Sequence, residues 1–237
     1  MSVKQITYEN IDPKVRSTIM VGLTLAMLIA CLDGTIVSTC GATIASELNG
    51  IVLYSWMITA YMLCETVMIP ISGKLSDLYG RKPVFLVGLA LFVAGSLLAG
   101  MSASMEMMIA CRALQGLGGG ILIPVATAAV ADLYEPAKRA RMQGMLGAVF
   151  GIGMGLGPVL GGYITEYIGW HWVFYINLPM AEILPDSEFC GPYGAKVSKI
   201  IERILLEHTE SYCKIPTSIE YRLEQIPIRP LFCIFQT

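Results

Sequence analysis

Five runs of about 20 apolar residues, each holding at most one charge, follow one another along this chain at 19–42, 52–72, 84–102, 107–131 and 144–165. At about 1.5 Å rise per residue, each is long enough to cross the roughly 30 Å hydrocarbon layer of a bilayer as a helix. Apolar core helices of a soluble protein do not recur five times at this length. A sixth run starts near Trp172 but meets Glu182, Pro185, Asp186 and Glu188 after about ten residues, which is below the spanning minimum. The reading is therefore an all-α membrane protein with five clear transmembrane helices and an incomplete sixth. The whole composition agrees: 55% hydrophobic, 14% charged and a mean hydropathy of +0.64.

Charge placement sets the expected orientation. Lys4, Lys14 and Arg16 precede the first run, Lys74, Arg81 and Lys82 lie between the second and third, and Lys138, Arg139 and Arg141 lie between the fourth and fifth. The alternate loops, near Glu47, Glu106 and Glu166, carry no Lys or Arg. The positive-inside rule then puts the amino terminus (1–16) in the cytoplasm; the expected location of this multi-pass protein is the plasma membrane. The first fifteen residues are polar and the first apolar run is too long for a cleaved leader, so it is expected to remain as an anchor.

Several functions are disfavoured by what the chain lacks. There is no basic stripe, zinc-finger spacing or RNA-binding aromatic motif, so nucleic acid is not an expected partner. No Ser/His/Asp arrangement, phosphate loop or metal-ligand spacing is evident, and His171 and His208 stand in unrelated contexts, so the reading is not an enzyme, with no metal and no cofactor. Of seven cysteines, Cys31, Cys40, Cys64 and Cys111 fall inside the runs and the rest in the tail, without a CxxC pair. They read as small buried hydrophobes.

The intramembrane charges are the candidate functional residues, because an ion in hydrocarbon is costly. Asp33 and Arg112 each lie about seven to ten residues from the outer face, roughly 10 to 15 Å deep by helix rise, so an acid and a base at one depth can pair. Such a pair is a proton switch if protonation of Asp33 releases Arg112, or a static structural bridge; the sequence leaves both open. Glu65, in the second run, is a possible cavity carboxylate for protons or a cationic substrate, or else a glutamate hydrogen-bonded between helices.

Glycine distinguishes the fifth run. Gly147, Gly151 and Gly155 form one ladder at four-residue spacing, and Gly153, Gly157 and Gly161 a second, about 120° away around the helix at 100° per residue. Two helices can approach such a surface closely, and Pro158 is expected to kink or weaken it near the outer end. Between the second and third runs, Gly73 and Gly80 suit a tight turn, Pro83 suits a first helical turn, and Asp77 beside Arg81 and Lys82 suits an ion pair or a cap.

These residues resemble the major facilitator superfamily, in particular its 14-span branch of drug:proton antiporters. Gly73, Asp77, Gly80, Arg81 and Lys82 match its loop signature GxLxDxxGRK. Arg112, Gln115, Gly116 and Gly118 match RxxQGxG in the fourth span. Gly144, Gly153, Gly157, Pro158, Gly161 and Gly162 fit the antiporter signature of the fifth. Leu32, Asp33, Thr35, Ile36 and Val37 resemble the first-span signature, and 170–179 resembles WRWIFxINxP. The chain departs from the branch at Ser38 (usually Asn), Ala42 (usually Pro) and His171 (usually Arg).

The resemblance covers about 15–180. It implies the amino-terminal bundle of a transporter in which two six-helix bundles rock about a central cavity, exporting a small hydrophobic or cationic compound in exchange for protons, with the proton gradient as driving force and no cofactor. It also implies that Asp33 and Arg112 take part in proton coupling, with Gln115 near the cavity. The fifth-span motif would control leakage and direction, and Asp77 and Arg81 would form part of a cytoplasmic latch.

From 184 the composition changes. The last 54 residues hold 13 charges against 21 in the first 183. Val197, Ile200, Ile201, Ile204 and Leu205 make one amphipathic face, and Pro216, Pro227 and Pro230 interrupt the stretch beyond it. The expected organisation is a bundle over 17–183, truncated in span six, followed by a divergent polar tail over 184–237, with no second bundle. On that reading the chain alone does not complete transport unless it pairs with a second half-transporter. A non-transporting protein that binds a full-length relative through the fifth-span glycines is one alternative; proton-driven solute symport is another, disfavoured by the antiporter-like fifth span.

Overall fold

The computed structural model describes residues 13–177. Regular structure among them is entirely helical: α1 spans Pro13–Glu47, α2 Tyr54–Tyr79 after a 3-10 turn at Ile51–Leu53, α3 Arg81–Gly100, α4 Met105–Leu133, α5 Pro136–Tyr167 and α6 His171–Tyr175. The first five are long and apolar enough to cross a membrane. Each predicted run lies largely inside one of them, and most of the helices extend beyond the runs. The extension of α1 passes through Ala42, where the branch usually has proline. The helix continues through it to Glu47. The polar tail, its amphipathic face, the remainder of the sixth run, the three tail cysteines and His208 lie outside the described residues.

Helix ends follow local chemistry. Ser104 caps α4 by accepting from the Met107 N–H at 3.3 Å. Pro136 occupies the first turn of α5, where its missing donor is not needed. Between α2 and α3 the turn is a single residue, Gly80, at φ 93°, a conformation that other residues rarely adopt. This corrects the expectation for Gly73: it lies within α2, one of the helical residues leading up to the turn, and Asp77 is helical with it.

Helix α4 is clasped between α2 and α3, and α5 lies along α1. Glycines make the clasp close. A Cβ at Gly116 would strike the Tyr61 carbonyl of α2, and one at Gly120 the Glu65 carbonyl. On the other side, one at Gly118 would strike the Phe92 amide and the Gly88 carbonyl of α3. Backbones thus touch on both sides of one helix, as small residues permit within a membrane. Pro124 lacks the N–H that would bond the Gly120 carbonyl four residues back, and Ser72 of α2 donates to that carbonyl instead, at 3.1 Å.

The two α5 ladders have different surroundings. Gly153 packs on Cys31 and Leu28, Gly157 on Thr35 and Gly161 on Ile36, all from α1, whereas a Cβ at Gly144, Gly147, Gly151, Gly155 or Gly162 would meet nothing within 4 Å. One expected helix neighbour is present among the described residues, and the other ladder faces outward. Helix α5 continues unbroken through Pro158, so the proline does not end it. Cys31, Cys40 and Cys111 are buried and free, and Cys64 is half-buried. Large apolar side chains on the outer face of α2, such as Trp56, Leu63 and Leu78, are exposed, as a lipid-facing helix allows.

Candidate functional site

The buried face of α1 carries Asp33, Ile36, Val37, Cys40 and Ile44 at helical spacing. The buried face of α4 carries Arg112 and Gln115, three residues apart on one side. Where these faces meet, Arg112 Nη1 donates to Asp33 Oδ2 at 2.6 Å and to Gln115 Oε1 at 2.7 Å, and Gln115 Nε2 donates to Asp33 Oδ1 at 2.8 Å. The Arg112 and Asp33 side chains are 3% and 0% exposed. The pair expected from equal depth is therefore formed, although α1 continues past the run end from which that depth is counted.

Two groups complete the surroundings. Tyr61 of α2 lies under the guanidinium, with Arg112 Cζ 4.1 Å from the ring centroid, a cation–π contact that offsets the buried Nε, which has no hydrogen-bond partner among the described residues. Asn177, just past α6, donates from Nδ2 to Asp33 Oδ1 at 3.0 Å and to Ser96 Oγ of α3 at 3.0 Å. The Asp33 carboxylate thus accepts from three donors, two on α4 and one beyond α6. Both of its oxygens are met by neighbouring side chains.

Glu65 stands one turn beyond Tyr61 on α2, half-buried, with its carboxylate and the Tyr61 hydroxyl both beside Gly119. No hydrogen bond or ion pair engages the Glu65 carboxylate among the described residues. It lies close to the pair without joining it. A cleft of about 470 Å³ opens between α1, α4 and α5, lined by Met27, Ile123, Leu146 and Phe150 with Thr127 and Gln143. Its walls suit an apolar guest better than a charged one.

A second charge cluster lies at the turn between α2 and α3. Arg81 Nη1 pairs with Asp77 Oδ1 at 2.6 Å and Nε with Asp132 Oδ2 at 3.0 Å, while Ser76 Oγ also accepts from Arg81. Asp77 is therefore an ion-pair partner, and no side-chain bond caps α3. At the opposite end of α1, Trp170 Nε1 donates to Glu47 at 2.7 Å and its ring stacks on His171 at 3.7 Å.

Asp33, Arg112 and Gln115 stand out in the sequence, and the fold brings them together. Tyr61, Ser96, Asn177 and Asp132 do not stand out there as site residues. For Asn177 a signal existed, since it is the asparagine of the segment resembling WRWIFxINxP. Tyr61 and Ser96 stand among many uncharged residues with no pattern to mark them. Asp132 is visible only as an acid opposite a basic turn.

Comparison with known proteins bears on this geometry. The model of the Major Facilitator Superfamily matches residues 23–184. The chain is 45% identical over 198 residues to the multidrug transporter protein MdtP of Bacillus subtilis, covering 80% of this chain and 37% of that protein. It is 46% identical over 165 residues to multidrug resistance protein 3 of the same organism, covering 70% of this chain and 32% of that protein. To the efflux pump dotC of Dothistroma septosporum it is 40% identical over 162 residues, covering 68% of this chain and 28% of the pump. The chain spans about a third of the length of the curated relatives it matches. With five membrane-length helices and a family match over most of its length, the chain belongs to the Major Facilitator Superfamily, a family of multi-pass transporters.

Proposed function

We propose that this chain forms the amino-terminal bundle of a proton-coupled exporter of small lipophilic compounds in the plasma membrane. Asp33 would bind the proton, Arg112 would respond to its charge, and Gln115 would bridge them. The single observation that carries the reading is the Asp33–Arg112–Gln115 cluster, a sealed pair of opposite charges deep in the bundle. Such ionisable groups in spanning segments mark proton relays and substrate paths.

The chemistry is an exchange of partners. With Asp33 charged, the guanidinium is neutralised. A proton on the carboxylate removes that neutralisation and leaves Arg112 a cation held by Gln115 and Tyr61, so helices α1 and α4 are no longer tied by opposite charges. A two-state element biased by that change would couple proton movement to reorientation. The efflux names of the relatives and the apolar cleft support an outward-moving lipophilic substrate. The glycine-to-α1 contacts of α5 support its role in keeping that side of the bundle closed. The Lys and Arg positions support a cytoplasmic amino terminus, and the Asp77–Arg81–Asp132 cluster a latch on that side.

Liposomes containing the chain paired with the carboxy-terminal half of a full-length relative, given a proton gradient and a fluorescent lipophilic cation, test the reading. Gradient-dependent flux that disappears in Asp33→Asn is the expected result. Flux equal in wild type and Asp33→Asn would overturn it.

A further inference from the structure

Asp33 holds one more donor than a buried ion pair requires, and that donor belongs to a chain of bonds leading to α6. Asn177 Nδ2 bonds both Asp33 Oδ1 and Ser96 Oγ, and the Ser96 hydroxyl donates onward to the Phe174 carbonyl at 2.8 Å. Asp33, Ser96 and Asn177 are buried, at 1%, 0% and 3% exposure. No water need enter for this chain to be satisfied.

The arrangement suits only a charged Asp33. Oδ2 faces a guanidinium, which has no acceptor, and Oδ1 faces the amide nitrogens of Gln115 and Asn177, which are donors. A carboxylic acid O–H in this place would meet no acceptor among its three partners, and a buried unmet donor is costly. One neighbour must turn. Gln115 is pinned, because turning its amide would aim its nitrogen at Arg112, donor against donor. Turning Asn177 sets no donor against a donor within this cluster: its oxygen would then lie between Asp33 and Ser96 and accept from both, once the Ser96 hydroxyl leaves the Phe174 carbonyl.

We propose that Asn177 reads the protonation state of Asp33, donating to the carboxylate and turning over to accept from the acid, and that the turn transfers the Ser96 hydroxyl from Phe174 to Asn177. The bond tying the α6 backbone to α3 is thereby lost when Asp33 takes up its proton. This rests on the reading of Asp33 as the proton-binding group. Asn177 is a positioning residue that acts through Asp33. The other ionisable groups facing Asp33 are Arg112 from α4, Tyr61 and Glu65 from α2, and Cys40 on its own helix. Helix α5 faces this stretch with Gly153, Gly157 and Gly161, and α3 with Ser96. Of the ionisable groups among the described residues, only Arg112 touches the carboxylate, and it cannot exchange roles.

Infrared titration of the full chain in lipid nanodiscs tests the proposal. The carbonyl band of protonated Asp33 is identified by its absence in Asp33→Asn, and phenylalanine carries a 13C carbonyl label. Wild type is expected to show a labelled-carbonyl shift in step with the Asp33 band, and Ser96→Ala to lose that shift. Asn177→Leu removes the donor to the charged form and the acceptor for the acid alike, so Ser96 has no second partner to turn to and the labelled-carbonyl shift should likewise be lost. A titrating Asp33 band with no movement of the labelled carbonyl in wild type would overturn the relay and leave the proton-coupling reading intact. No titrating Asp33 band over the pH range of the folded protein would overturn both. The wild-type and Ser96→Ala comparison decides the matter even where Asn177→Leu does not fold.

Discussion

Two carboxylate–guanidinium pairs with the same 2.6 Å contact stand at two levels of this bundle. The side chains of Arg112 and Asp33 are 3% and 0% exposed, whereas those of Arg81 and Asp77 are 25% and 66% exposed. Equal geometry does not mean equal energy. An exposed pair contributes about 0–1 kcal/mol, because water and salt solvate both ions whether or not they touch. In a buried pair each partner replaces the other's water, so removal of one strands a charge at a cost of about 3–5 kcal/mol. The inner pair is also built into a buried network of amides, a hydroxyl and an aromatic ring, whereas the outer pair is joined by the Ser76 hydroxyl and the partly exposed Asp132. The first arrangement suits a group whose charge state matters, the second a contact that can open.

The largest expected effect is at Arg112. Arg112→Ala leaves Asp33 charged and sealed, and thermal unfolding in detergent should register a loss of about 3–5 kcal/mol. Asp33→Asn combined with Arg112→Gln removes both charges and should recover most of that loss. Equal destabilisation by the single and double variants would mean that packing, rather than stranded charge, holds the pair.

A smaller effect is expected where α5 closes over α1 beside Asp33. A Cβ at Gly157 would collide with the Thr35 hydroxyl, which is itself bonded to the Cys31 and Leu32 carbonyls at 3.0 Å and so does not swing away freely. Gly157→Ala should cost about 1–3 kcal/mol, the usual range for forcing an extra methyl into a packed contact. Gly151→Ala has nothing within 4 Å to strike and should leave the unfolding temperature unchanged or slightly raised. Matching losses in the two variants would show that both faces of α5 are equally engaged, contrary to the contacts described.

The same physics separates the legible parts of the sequence from the hidden ones. Span length is a requirement of the bilayer, so all five helices were legible, and charges in hydrocarbon are rare enough that Asp33 and Arg112 stood out. Helix rise alone then put them at one depth. Which helices touch was not legible, because apolar residues facing lipid and apolar residues facing a neighbour look alike. The two glycine ladders illustrate this: their spacing is the same, yet one lies against Thr35 and Ile36 and the other has nothing within 4 Å. Uncharged partners were hidden for a related reason. Ser96 and Asn177 matter only because two further elements bring them to Asp33, and nothing in a serine's own neighbourhood announces a contact 81 residues away. Gly73 was misplaced because glycine suits both a turn and a lipid-phase helix, and only the positive φ of Gly80 distinguishes them.

The smallest expected effect is at Arg81, and its dependence on salt is the sharper measurement. Arg81 joins Asp77 across the turn and reaches Asp132 near the end of α4, so it ties the α2–α3 connection to a third helix. Asp132 is itself 45% exposed, so the whole cluster stays within reach of counterions. Arg81→Ala should therefore lower stability by no more than about 1 kcal/mol at low salt. Raising ionic strength from about 0.1 to about 1 M shortens the screening length from about 10 Å to about 3 Å, which should nearly erase the difference between Arg81→Ala and wild type. The Arg112→Ala difference should persist at both salts, because no counterion reaches a pair sealed between α1 and α4. If high salt rescued both variants equally, the inner cluster would be open to solvent, and the contrast between a charge-sensing interior and an openable outer contact would not hold.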